Sequence, residues 1–229
     1  MRNLKKILAL ALALVMTLSL MTVANAFNDD SQIDAKYDEA VTVLSNLKVF
    51  KGVNDGSNFA PKQTITRGEV AAIIYRIVTG DVNDANIAQF ATYAENTFSD
   101  VKATDWYAGY IGYCANAQLI VGDGNGRFLP ATKVNGYQAL AMILRAIGYD
   151  ANKEFQGNGW EIRTASTAQQ LGLLKNIGAS SLSADATREM VAEILFRTIA
   201  EAYVVKYTTA FGYQPVYLPA SENQTDVLA

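Results

Sequence analysis

Residues 52–78 read GVNDGSNFAPKQTITRGEVAAIIYRIV. A glycine-rich loop leads through Phe59 and Pro61 to Thr66-Arg67-Gly68-Glu69, and an apolar helix follows. Thr66 and Glu69 stand at the spacing of a capping box, in which each side chain satisfies a backbone N–H at the helix start. Gly52 and Gly56 punctuate the loop as turn formers. Behind the cap, Val70, Ile73, Ile74 and Ile77 recur at helical spacing and predict a buried face.

Working outward, Tyr37, Ala40, Val41, Leu44 and Leu47 predict a helix before the loop, so the unit is helix, glycine loop, capped helix. The plan recurs after Phe98-Ser99-Asp100. Trp106-Tyr107 leads into a helix carrying Tyr110, Ile111 and Cys114 on one face. The loop Gly122-Asp123-Gly124-Asn125-Gly126 follows, closed by Phe128 and Pro130 at the separation of Phe59 and Pro61. Here the cap is Asn135 with Gln138, and Gly136 stands in the place of Arg67. A third unit opens at Trp160, loses the glycine loop, and restarts its capped helix at Thr187-Arg188-Glu189, with Met190 in the place of Glu69.

Three units of about 50 residues form an internal repeat, expected at 27–80, 98–150 and 151–202. A helix pair cannot bury its apolar faces alone, and three pairs can. The expected fold is all-α, a closed pseudo-threefold bundle rather than an open solenoid. Residues 81–97 read as a connector, although Ile87, Phe90, Ala91 and Ala94 would also suit a short accessory helix. Beyond residue 203, aromatic and β-branched residues around Gly212 and Pro215 predict a short hairpin ahead of a polar tail ending at residue 229.

Residues 1–26 read as a signal peptide: Arg2, Lys5 and Lys6, an apolar run from Ile7 to Val23, then Ala24-Asn25-Ala26. A transmembrane anchor is the competing reading, disfavoured by the small-x-small ending. Without that segment the chain holds 16 basic and 22 acidic residues, a net charge of −6. This charge disfavours nucleic acid or an anionic membrane surface as a bulk partner. Histidine is absent, which removes His-dependent nucleophilic catalysis and every histidine-containing zinc site. No carboxylate pair stands out for a hydrolase. The single cysteine, Cys114, lies in register with a helical apolar face and reads as a buried hydrophobe rather than a reactive thiol. The second glycine loop lacks the endings of a phosphate loop or a calcium loop, and no metal or cofactor is expected.

These units resemble the S-layer homology family, the modules that hold exported proteins on bacterial cell walls. In the first unit the matching residues are Ala40-Val41, Gly52, Asp55-Gly56, Phe59, Pro61 and Ile65 to Glu69. In the second they are Phe98 to Val101, Trp106-Tyr107, Ile111, Gly122-Asp123-Gly124 and Phe128. In the third they are Trp160, Leu173 and Thr187-Arg188-Glu189. The resemblance implies grooves between repeats that bind a secondary cell-wall polysaccharide, often pyruvylated, and a location at the cell surface. Carried across by position, the groove arginines are Arg67 and Arg188, and the second unit has none. Trp106 and Trp160 suit either core or groove wall, and Gly52, Gly56, Gly122, Asp123 and Gly124 complete the expected ligand set. Thr66, Glu69, Asn135, Gln138 and Thr187 read as caps. An arginine on a helix's first turn sits at the positive end of the macrodipole, beside unpaired N–H groups, and can grip a carboxylate with two parallel bonds. The rival reading is a structural protein whose repeats contact each other or other surface-layer proteins.

Overall fold

Ile65, Val134 and Ala186 each precede the first capping residue of a helix, and all three are fully buried. A buried backbone group must find a partner, and these three find one another. In the computed structural model, Ile65 N–H donates to Ala186 O (3.0 Å), Ala186 N–H to Val134 O (2.8 Å) and Val134 N–H to Ile65 O (3.1 Å). Three distant segments thereby close into a ring, with isolated bridges Thr66–Lys133, Asn135–Asp185 and Thr64–Thr187 around it.

The structure describes residues 27–216; the segment read as a signal peptide and residues 217–229 lie outside them. Seven α-helices are present among the described residues: α1 (Asp38–Asn46), α2 (Arg67–Thr79), α3 (Ala91–Thr97), α4 (Ala108–Asn116), α5 (Gly136–Ala146), α6 (Trp160–Gln170) and α7 (Arg188–Glu201). An antiparallel hairpin follows, β1 (Val205–Thr208) and β2 (Gly212–Pro215), with Tyr207 opposite Tyr213. The molecule is mainly helical, as expected. No helix among the described residues is long and apolar enough to cross a membrane.

Each capped helix packs on the first helix of the next unit: α2 on α4, α5 on α6, and α7 back on α1. The capped helices α2, α5 and α7 supply much of the core, burying Val70, Ile74, Leu140, Ile143, Val191 and Ile194. Cys114 is fully buried on α4, its thiol donating to Ala71 O (3.5 Å), and burial pushes its pKa up.

The caps differ between units. Glu69 accepts from Thr66 N (2.8 Å) while Thr66 Oγ1 accepts from Glu69 N (3.3 Å). Asn135 and Gln138 repeat this exchange at 2.9 and 3.0 Å. Thr187 accepts from Met190 N (3.3 Å) with no reciprocal bond. Glu189, displaced by one residue, instead accepts from Asp34 N (3.0 Å) and from Lys62.

Residues 81–97, read as a connector, are folded. A 3-10 turn at Ile87–Phe90 runs into α3, and both pack against α4. Gly109 and Gly112 make this approach possible: a Cβ on them would lie 2.3 Å from Ile87 O and 1.9 Å from Phe90 O. The hairpin is docked as well, through Val205 N–H to Ile147 O (2.8 Å) and Ala151 N–H to Tyr213 Oη (2.8 Å).

Candidate functional site

Arg67 is the first residue of α2 and reaches across to the second unit's glycine loop. Its Nε donates to Phe128 O (2.8 Å) and its Nη2 to Val121 O (2.9 Å), with the guanidinium 4.6 Å from the Phe128 ring centroid. The loop end is itself fixed from below. The Asp100 carboxylate accepts from Phe128 N (2.8 Å) and Leu129 N (2.7 Å), holding Leu129 at φ +62°.

Arg188 does the same to the first unit. It donates from Nε to Phe59 O (2.7 Å) and from Nη2 to Lys51 O (2.8 Å). Asp29 holds Phe59 N (2.8 Å) and Ala60 N (2.7 Å), with Ala60 at φ +56°. Sequence reasoning missed Asp29. The signal was Phe27-Asn28-Asp29, which repeats the Phe-x-Asp of Phe98-Ser99-Asp100.

The two clamps diverge at Nη1. That atom of Arg188 lies 3.8 Å from Glu69 Oε1, and the side chain is only 6% exposed. Arg67 is half-buried, and its Nη1 makes no hydrogen bond among the described residues. Burial lowers the pKa of both groups, yet a guanidinium stays cationic in proteins. The neighbouring backbone is not free: Arg67 N–H donates to Thr132 O (3.0 Å) and Gly68 N–H to Pro130 O (2.9 Å). The expectation of unpaired N–H groups beside this arginine is therefore overturned, because the ring of units consumes them. Attraction for an anion there comes from the guanidinium and the helix dipole.

Gly136 occupies the corresponding place on α5. A Cβ there would lie 2.7 Å from Leu182 Cα and 2.8 Å from Met190 Cε. Leu182 belongs to the 3-10 turn Ala179–Ser183, which stands where the other units have a glycine loop, and it is buried. No arginine fits at that junction.

The tryptophans sort differently from the arginines. Trp106 is 58% exposed, its ring edge-on to Tyr107 (5.4 Å) and Tyr110 (6.2 Å). Tyr107 in turn faces Gly68, where an added Cβ would meet Tyr107 Cβ at 3.4 Å. Trp106 thus flanks the Arg67 junction and is not core. Trp160 is half-buried against Tyr137 (6.5 Å), at the Gly136 junction. At the Arg188 junction the equivalent position, eight residues before the carbonyl that ends the first helix, is Lys36.

The glycines serve their own loops. A Cβ on Gly52 would strike Gly56 O (2.4 Å), and one on Gly122 would strike Arg127 O (2.6 Å). Gly56 and Gly124 hold φ of +88° and +84°, where other residues are strained. Asp123 accepts from Asn125 N (2.8 Å), Arg127 N (3.1 Å) and Arg127 Nε (2.9 Å). These bonds, that from Asn125 N first, hold its pKa down at about 2.

Sequence reasoning also missed Arg76, Arg145 and Arg197, each nine residues after Arg67, Gly136 and Arg188. They pair with Asp84 (2.9 Å), Asp150 (2.5 Å) and Glu193 (2.8 Å). The arginine present in all three units is therefore the one neutralised within the fold. No group of residues suited to a metal ion occurs among the described residues.

Comparison with known proteins agrees with this repeat geometry. The family model of the S-layer homology domain matches residues 26–71 and 97–140. The chain is 28% identical over 212 residues to the surface layer protein of Brevibacillus choshinensis, covering 91% of this chain and 18% of that protein. It is 31% identical over 171 residues to the middle cell wall protein of Brevibacillus brevis, 73% of this chain and 15% of that protein. It is also 31% identical over 210 residues to the cell surface protein of Thermoanaerobacter kivui, 90% of this chain and 26% of that protein. The chain thus spans about a quarter or less of the length of these relatives. Both matched segments run from a Phe-x-Asp across the glycine loop into a capped helix, and on this ground the chain belongs to the S-layer homology domain family.

Proposed function

We propose that this chain docks, without catalysis, onto an anionic and pyruvylated secondary cell-wall polysaccharide through the junction of α2 with the second unit. The chain is a surface-anchoring module of its family; the sugar and the site are the proposal. One observation carries it. The Arg67 junction joins an arginine with a hydrogen-bonding edge left over, an exposed indole and a glycine loop. The Arg188 junction has Glu69 on its arginine and Lys36 for the indole, and the Gly136 junction has an indole without an arginine.

The chemistry matches a sugar bearing a carboxylate. Nη1 and the outer face of Nη2 can donate to the ketal carboxylate in a charge-assisted pair, and Trp106 offers an apolar face to the sugar ring. A titration of the full chain with purified secondary wall polymer tests this. Arg67→Ala is expected to weaken binding about tenfold or more, the worth of a charge-assisted hydrogen bond, with the far-ultraviolet circular dichroism unchanged. Polymer stripped of its ketal should bind as weakly. Wild-type affinity in Arg67→Ala would overturn the assignment.

A further inference from the structure

Phe27-Asn28-Asp29 opens the first unit bond for bond as Phe98-Ser99-Asp100 opens the second. The Phe27 ring lies 5.5 Å from that of Phe59 at 48°, and Phe98 lies 5.4 Å from Phe128 at 50°. Asn28 N–H donates to Ser57 O and Ser99 N–H to Gly126 O, both at 2.9 Å. Phe27 O accepts from Asp30 N–H (3.1 Å) as Phe98 O does from Val101 N–H (3.3 Å). Each aspartate then takes the two N–H groups that close its glycine loop. Phe27 is half-buried and belongs to the fold.

What precedes the motif differs between the units. Phe98 follows directly on α3, its N–H donating to Ala94 O (2.8 Å). Phe27 follows directly on Ala24-Asn25-Ala26, the small-x-small end of the segment read as a signal peptide. No spacer residue stands between the bond that such a site presents for cutting and the first residue the fold uses.

A protease draws residues on both sides of the scissile bond into its cleft, so a bond at a folded edge is cut only through local opening. Opening here means lifting the Phe27 ring from Phe59, breaking the Asn28 bond and loosening the charge-assisted bonds of Asp29. It also reaches the ring of units. Phe59 is held through its N–H by Asp29 and through its carbonyl by Arg188 of the third unit.

We infer that the first unit and a protease specific for small-x-small sites compete for residues 27–29. The bond between Ala26 and Phe27 is cut while these residues are free, and their docking shields it. The inference rests on the signal-peptide reading of residues 1–26. The step is a hydrolysis: water adds across the peptide bond, leaving a carboxylate on Ala26 and an amine on Phe27.

The test is cleavage of the full chain, residues 1–229, by purified bacterial signal peptidase in detergent. The reference is the fragment 1–50, which carries the same site and lacks Ser57, Phe59 and Ala60. N-terminal sequencing identifies the cut. The folded chain is expected to be cut about tenfold more slowly than the fragment, or slower still, the worth of a charge-assisted bond broken on opening. A Ser-Gly-Ser-Gly insert between Ala26 and Phe27 keeps every residue of the fold and should bring the folded chain to the rate of the fragment. Asp29→Ala should speed cleavage of the folded chain and leave that of the fragment unchanged. Equal rates for folded chain and fragment, or no gain from the insert, would overturn the inference. A fragment left uncut after Ala26 would overturn the signal-peptide reading and the inference with it.

Discussion

Arg67 and Arg188 hold the same position on their helices and donate to the same pair of carbonyls, yet only one has charge to spare. Arg188 is buried, its Nη1 turned to Glu69, and its bonds to Phe59 O and Lys51 O are buried and partly buried respectively. Removing it strands both acceptors, at about 1–3 kcal/mol for each unsatisfied group. Arg188→Ala is therefore expected to lower unfolding stability by about 2–4 kcal/mol, read from the urea midpoint. Arg67→Ala should cost less, because its two bonds are partly buried and exposed, where those of Arg188 are buried and partly buried. Equal midpoints for wild type and Arg188→Ala would show that the clamp contributes nothing. The position of both arginines was legible in the sequence from the Thr-Arg spacing. Their environments were not, because Glu69 meets Arg188 only after the third unit closes on the first. The reach of Arg67 to Val121 and Phe128 is likewise a contact between units, and no local pattern announces it.

At the scale of elements, the segment between the first and second units shows what periodicity leaves out. Ile87, Phe90, Ala91 and Ala94 are too few to distinguish an accessory helix from a connector, and the deciding residues lie elsewhere. Gly109 and Gly112, on α4, are bare where Ile87 O and Phe90 O approach. The turn that launches the segment is fixed by Asp81, which accepts from Tyr75 Oη (2.7 Å), Ala85 N (3.0 Å) and Asn86 N (2.9 Å). The Tyr75 hydroxyl, above all, lowers the Asp81 pKa from 3.8 to about 2. A carboxyl lowered in the folded state contributes stability that is complete above its unfolded pKa and lost as pH falls through the folded value. The melting temperature should therefore drop as the pH falls from 3.8 to about 2. Asp81→Asn, lacking the titration, should show a shallower drop over that window. Parallel curves for the two proteins would remove Asp81 as a source of acid sensitivity.

For the whole molecule, counting three worn copies was enough to anticipate closure, since each unit leaves an apolar helix face for a neighbour to cover. The direction of pairing was beyond that count: α2 turns to α4, α5 to α6, and α7 to α1. All first helices carry similar apolar faces, so nothing in their spacing says which neighbour each one meets. Closure has a thermodynamic consequence. In an open solenoid each repeat touches only its neighbours, and an end repeat can be lost at the cost of a single interface. Here the third unit touches both others. Cutting after residue 150 would remove α7 from α1, Arg188 from Phe59 and Lys51, and Ala186 from its bonds with Ile65 and Val134. The first and second units would then expose a shared apolar face and two broken backbone bonds at the centre of the ring. Residues 27–216 are expected to unfold in one cooperative urea transition, with fluorescence and circular dichroism coincident. Residues 27–150 alone are expected to show a broad loss of signal and no native baseline. A sharp transition in that fragment would mean that two units suffice and that the ring closes over a core already stable without it.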